Sequence, residues 1–165
     1  MKIAIMKKGK PTKNKKPLKL ILDSYLALIK NSIGANFWRN FYIKEKGKKK
    51  DVLEEGTLSC AFFVSTVLVI FELVNKVHFT VVGTLKEMED SGWYKIKKPK
   101  LGSVLVWEEK FDQNKHVGFF MGDNSAISNR SSLHKPGRHH FTFGQKKDGQ
   151  PVRKIEKIYW HKKLK

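Results

Sequence analysis

The run from Gly56 to Phe71, GTLSCAFFVSTVLVIF, constrains the fold more than any other stretch of the chain. It presents almost no polar face, so a helix built from it must be enclosed on nearly every side, in the middle of a domain, with other elements packed around it. The pattern predicts that this helix continues to about Asn75. At its head stands Cys60, the only cysteine in 165 residues. Thr57 or Ser59 is placed to cap the first turn, where unpaired backbone N–H groups and the positive end of the helix dipole favour thiolate over thiol. A lone cysteine here has two readings, a nucleophile or a small packing residue, because free cysteine is among the most buried residue types.

One cysteine excludes an intramolecular disulfide, and no C-x-x-C pair offers a zinc site, so the hydrophobic core has to hold the fold alone. A content of 40% hydrophobic and 12% aromatic residues is enough for that. The expected organisation is a basic, flexible arm over residues 1–16, in which Ile3 to Ile5 offer a short edge strand, followed by one domain over residues 17–165. No cofactor and no bound metal are expected.

The charge is lopsided: 34 Lys and Arg against 15 Asp and Glu give a formal +19. Nucleic acid, an anionic membrane surface and an anionic cell-wall polymer all suit such a surface, and compositional bias accounts for it equally well. Arg is scarce beside Lys, which disfavours bidentate reading of phosphate or guanine, and no nucleic-acid-binding motif is present. The longest apolar run falls short of the ~20 residues that cross a bilayer. Lysines followed by Leu18, Leu20, Ile21 and Leu22 imitate a signal peptide, but Lys19 and Asp23 interrupt it and no small-residue cleavage site follows. The chain is therefore expected in the cytoplasm as synthesised, with release by lysis or another route left open.

From Pro17, Leu18, Ile21, Leu22, Tyr25, Leu28 and Ile29 recur at helical steps, predicting a helix to about Asn31. Phe37, Trp38, Phe41 and Tyr42 suit either core or a groove, with most of them expected in the core. Lys44 to Lys50 reads as a basic loop. Thr84-Leu85-Lys86-Glu87 reads as a capping box opening a short helix that ends near Ser91-Gly92. Strands follow at Ser103–Glu108, His116–Met121, Ser125–Asn129, Phe141–Phe143 and Val152–Trp160, with a tight turn at Gly122-Asp123-Asn124 and a loop over Ser131–Arg138. Helices first and a mostly antiparallel sheet after them make an α+β domain.

A thiol nucleophile needs a base, held in turn by a third polar group. Of six histidines, only His116 heads a strand in the middle of the expected sheet; His78 lies in a connection, His134, His139 and His140 in a basic loop, and His161 in the tail. The loop histidines lack nearby carboxylates, which argues against a zinc site.

Three blocks then stand in order: Leu58-Ser59-Cys60-Ala61-Phe62-Phe63-Val64-Ser65, Leu101-Gly102-Ser103-Val104-Leu105-Val106-Trp107, and His116-Val117-Gly118-Phe119-Phe120-Met121-Gly122. Together, over roughly Ile33 to Trp160, they resemble the signature of the NlpC/CHAP papain-like superfamily, mostly cell-wall peptidases and amidases. The resemblance implies a papain-like fold of the NlpC/CHAP type, with N-terminal helices packed on the sheet. It also implies amide hydrolysis of a peptide or peptidoglycan-like substrate, with Cys60 as nucleophile and His116 as base. In that superfamily a polar residue on the strand after the histidine orients the imidazole, and an ungapped count from His116 lands on Ser128. Asn129 is the better chemical match, since its amide oxygen accepts from a ring N–H, and it is taken as the third residue with Ser128 as the alternative. Tyr42 resembles the tyrosine that helps the nucleophile's N–H form an oxyanion hole; it suits a core position equally.

Many members carry Asp before the cysteine and Ser after it, where this chain has Ser59 and Ala61, so the usual stem-peptide specificity is not implied. Two other readings stand beside the hydrolase: a papain-like scaffold that binds nucleic acid or an anionic polymer through its charge, and a thiol acyltransferase or thioesterase.

Overall fold

A computed structural model describes residues 18–110 and 115–165. In chain order the elements are α1 (Ile21–Asn31), β1 (Tyr42–Glu45), β2 (Lys48–Asp51), a 3₁₀ turn (Glu54–Gly56), α2 (Cys60–Ile70), α3 (Val81–Asp90), β3 (Tyr94–Lys95), β4 (Val104–Trp107), β5 (His116–Phe120), β6 (Ser125–Arg130), β7 (Lys135–His140) and β8 (Ile155–Trp160). β1 and β2 form a separate hairpin, and the other six strands make one sheet in the order β3-β8-β4-β5-β6-β7. Every pairing in it is antiparallel, so the architecture is α+β, as the order of helical and strand patterns predicts.

The apolar run of α2 is explained by what surrounds it. Phe63, Val64, Val67 and Leu68 are fully buried in the core that Val104, Val106, Val117, Phe119 and Ile127 contribute from the sheet and Tyr25 and Ile29 from α1. Phe63 packs edge to face with Trp38 and with Phe119, at centroid distances of 4.8 and 5.5 Å. The polar Ser65 on this helix is satisfied internally: its hydroxyl donates to the Ala61 carbonyl (2.8 Å) and accepts from the His78 N–H (3.0 Å). The second face of the sheet has its own core, in which Leu105, Trp107 and Ala126 meet Phe120, Phe141, Phe143, Ile155 and Ile158. β4 is continuously apolar because both of its faces are covered.

Several elements depart from the sequence pattern. α2 stops at Ile70 and not near Asn75: Glu72 takes a left-handed φ of 53°, and the Glu72 and Leu73 N–H groups close the last turn on the Val69 and Leu68 carbonyls. Leu73 and Val74 still enter the core, so apolar character continued where the helix did not. α3 starts at Val81, capped by Thr80, whose side chain accepts from the Gly83 N–H at 3.1 Å. Thr84 lies inside the helix with its hydroxyl donating to the Thr80 carbonyl (3.0 Å), and Glu87 reaches the Asn75 N–H (3.1 Å). The expected capping box is therefore not formed.

The basic segment Lys44–Lys50 is no loop but the β1–β2 hairpin, turned at Lys46 and Gly47, both at positive φ. The expected loop Ser131–Arg138 runs into β7, which tolerates Pro136 because it is an edge strand, and Phe141–Phe143 is turn and not strand. Of the aromatic cluster only Trp38 is buried, while Phe37, Phe41 and Tyr42 are exposed. The readings of residues 1–16 and of Pro17 lie outside the described residues. No helix among the described residues is long and apolar enough to cross a membrane.

Candidate active site

The approach to Cys60 is set by Gly56. Its φ of +94° is one that side chains rarely adopt, and a Cβ there would collide with the backbone carbonyl of His134. Its own carbonyl accepts a 2.6 Å hydrogen bond from the Asn129 amide. Four residues later the chain enters α2. Neither expected cap is made: Ser59 sits at the cap position without a side-chain cap bond, and Thr57 approaches His134 Nδ1 at 3.4 Å. The first-turn N–H groups are left to the sulfur. Burial pushes the Cys60 thiol up, outweighing the Val117 N–H on β5, the Ala61 and Cys60 N–H groups of that turn and the charge of Arg153, all of which favour the thiolate. The preference for thiolate read from the helix terminus is thus present but overridden.

His116 opens β5 directly opposite Trp107 on β4. Its ring lies 5.4 Å from the Trp107 ring and 5.7 Å from that of Phe143. It belongs to the Trp107 face of the sheet and meets the first turn of α2 at the strand's end, where Cys60 and His116 line one cleft of about 360 Å³. Among the described residues no hydrogen bond joins thiol and imidazole. Burial depresses the His116 pKa from 6.5 to about 3, helped by the charges of Arg153, His139 and Arg130. At neutral pH the cleft therefore holds a neutral thiol and a neutral imidazole.

The partner of that imidazole is Ser128 and not Asn129. His116 Nε2 lies 2.8 Å from Ser128 Oγ, whereas Asn129, one residue on, turns to the other side and holds Gly56. Ser128 Oγ lies in turn 2.8 Å from His139 Nε2, and His139 Nδ1 is 2.7 Å from the His140 carbonyl oxygen. His139 also stacks on Phe143, with centroids 4.0 Å apart. It sits on β7 and not in a loop. Tyr42 stands apart: it is 54% exposed on the hairpin, under Lys49 at 3.9 Å, and does not line the cleft. His134 approaches the Glu55 carbonyl at 3.1 Å. Among the described residues no group of three or more His, Cys, Asp or Glu is arranged to hold a metal ion.

Two cleft residues had no sign in the three blocks. Arg153, just before β8, donates from Nε to the Glu108 carbonyl (2.8 Å) and lies over Phe143, close enough to act electrostatically on both Cys60 and His116. Arg130, at the end of β6, is the second. The available signal was rarity: in a Lys-rich chain, two of the four arginines, 39, 130, 138 and 153, come to this cleft. Leu58, Ala61, Phe79, Val81 and Val82 give the cleft an apolar side, while Thr57, Thr80, Glu109, Asn129 and Ser131 add polar groups to its lining, with Lys115 paired to Glu156 at 2.6 Å. Searches against protein-family models and against curated protein sequences find no match to the chain.

Proposed function

We propose that the protein is a cysteine hydrolase of the NlpC/CHAP type, with a papain-like arrangement of helices on the sheet, cleaving an amide bond in a peptide or peptidoglycan-like substrate. The observation that carries this reading is the shared cleft of Cys60 and His116, with a helix first turn behind the sulfur and a hydrogen-bonded hydroxyl behind the imidazole. As the Cys60 sulfur bonds to the substrate carbonyl carbon, its proton passes to His116. The developing oxyanion draws on the N–H groups at the start of α2. His116 then returns the proton to the leaving nitrogen as the C–N bond breaks, and water hydrolyses the thioester to free the thiol. Because thiol and imidazole are both neutral at rest, sulfur reactivity has to depend on the base.

The test is alkylation of Cys60 by iodoacetamide in the native chain and in His116→Ala, alongside hydrolysis of peptidoglycan, peptide anilides and an acyl thioester. Alkylation is expected to slow by roughly tenfold or more without the imidazole, and Cys60→Ala to abolish turnover. Equal alkylation rates, with hydrolysis surviving Cys60→Ala, would sink the reading. Turnover of the thioester alone would move the assignment to acyl transfer, which the apolar wall formed by Leu58, Phe79 and Val82 also suits.

A second reading rests on the β1–β2 hairpin, where Lys44, Lys46, Lys48, Lys49 and Lys50 are all exposed beside Phe41 and Tyr42. It is that the domain docks on an anionic polymer through this hairpin.

A further inference from the structure

Four polar groups run from the cleft across the sheet in one line. They are His116 on β5, Ser128 on β6, His139 on β7 and the carbonyl of His140, with separations of 2.8, 2.8 and 2.7 Å. The far end fixes the direction of every bond. A carbonyl oxygen only accepts, so His139 Nδ1 must carry the proton it donates there. The neutral ring then has a bare Nε2, which can only accept, so the Ser128 hydroxyl proton points at His139. Ser128 Oγ is left to accept, and the proton it takes is the one on His116 Nε2. A neutral imidazole protonated at Nε2 has its lone pair on Nδ1.

We propose that His139 is a positioning residue of the Cys60–His116 site: acting through Ser128, it holds His116 in the Nε2–H tautomer and so keeps Nδ1 as the ring's proton acceptor. This inference rests on the hydrolase reading above and specifies which nitrogen does the work. Without His139 the serine hydroxyl is free to turn and donate to His116 Nε2, which would move the ring proton to Nδ1 and leave the base without a lone pair for the thiol. When His116 takes the cysteine proton, the relay needs no further transfer: the imidazolium keeps donating from Nε2 to Ser128, and Ser128 to His139.

The environment keeps the relay in this state at neutral pH. His139 is depressed to about 4, chiefly by burial, with Arg130 and His140 adding to it while its bond to the His140 carbonyl opposes. His116 faces Arg153, Arg130 and His139. His140 is itself engaged, its Nδ1 lying 2.8 Å from Thr142 Oγ1. The rings of Trp107 and Phe143 pack against both His116 and His139.

Long-range ¹H–¹⁵N spectra of the imidazoles at pH 7 report the tautomer directly, whether or not a substrate is known. The native chain is expected to show His116 protonated at Nε2. His139→Phe keeps the ring that stacks on Phe143 but removes the acceptor, and should move His116 toward the Nδ1–H form and slow Cys60 alkylation by roughly tenfold. His139→Gln can place an amide oxygen where Nε2 stood, and should restore both. Ser128→Ala severs the same relay and provides a second arm should His139→Phe fail to fold. Retention of the Nε2–H tautomer, with an unchanged alkylation rate, in His139→Phe or Ser128→Ala overturns the inference while leaving the hydrolase reading intact. The converse is equally visible: a tautomer that responds as described in a chain whose Cys60 alkylates independently of His116 supports the relay and removes the hydrolase.

Discussion

Ser128 and Asn129 are neighbours with opposite tasks. Gly118 pairs with Ser128 across the β5–β6 ladder, and His116 lies two residues before Gly118, on the same face. Ser128 is therefore presented to the imidazole, and Asn129, on the other face, to Gly56. Ser128→Ala is expected to act on chemistry, through the His116 tautomer and the alkylation rate of Cys60. Asn129→Ala removes the donor to a buried carbonyl, and its larger effect should fall on stability, about 1–3 kcal/mol, read as a lower midpoint in urea. A reversal of the two outcomes would return the third role to Asn129. Side-chain chemistry alone favours the amide, and the sequence leaves the hairpin's parity open by one residue. The Cys60 and His116 positions were legible because each opens an element whose pattern is strong. His139 was not, because Lys-Pro-Gly-Arg-His-His lacks any strand period, and only pairing with β6 makes it one.

At the scale of elements, α2 was readable as a buried pillar because an eleven-residue helix of apolar character interrupted only by Ser65 and Thr66 has few other places to go. Its start at Cys60 was legible too, but its far end was not, since that depends on a left-handed backbone at Glu72. Gly56→Ala meets both a positive φ and the His134 carbonyl, so it should destabilise the fold by about 1–3 kcal/mol and disturb the start of α2. The expected readout is a lowered melting temperature together with altered Cys60 alkylation; native values of both would show that this turn does not set the sulfur's position. The hairpin carries a different prediction. Its five lysines lie outside the Cys60 cleft, so Lys46→Glu with Lys49→Glu should bring elution from a heparin column to lower salt without slowing alkylation of Cys60. Unchanged elution would assign the anion affinity to the general charge of the surface.

Across the whole molecule, the polar relay makes stability depend on pH. His116 and His139 have folded-state pKa values near 3 and 4 against an ordinary 6.5, and His161 is lowered in the same direction, mainly by burial. With the folded values depressed, the unfolded chain binds protons first as the pH falls. The stabilising contribution is complete above pH 6.5 and is lost progressively as the pH drops toward the folded values. For His116 and His139 the loss reaches up to about 2 kcal/mol each by pH 5. Asp51, held near 2 by the N–H groups of Glu55, Phe41 and Leu53 and by the Asn40 amide, has the same sign but is lost only at lower pH, so the interval from 7 to 5 belongs to the histidines. The formal charge of +19 adds self-repulsion as carboxylates protonate, and moderate salt suppresses that part while sparing buried groups. Urea midpoints measured from pH 7 to 5 in 0.3 M salt should therefore fall in the native chain and fall less in His139→Phe, which removes one of the titrating rings. Parallel slopes in the two proteins would mean that His139 titrates alike folded and unfolded, and that the relay is open to water.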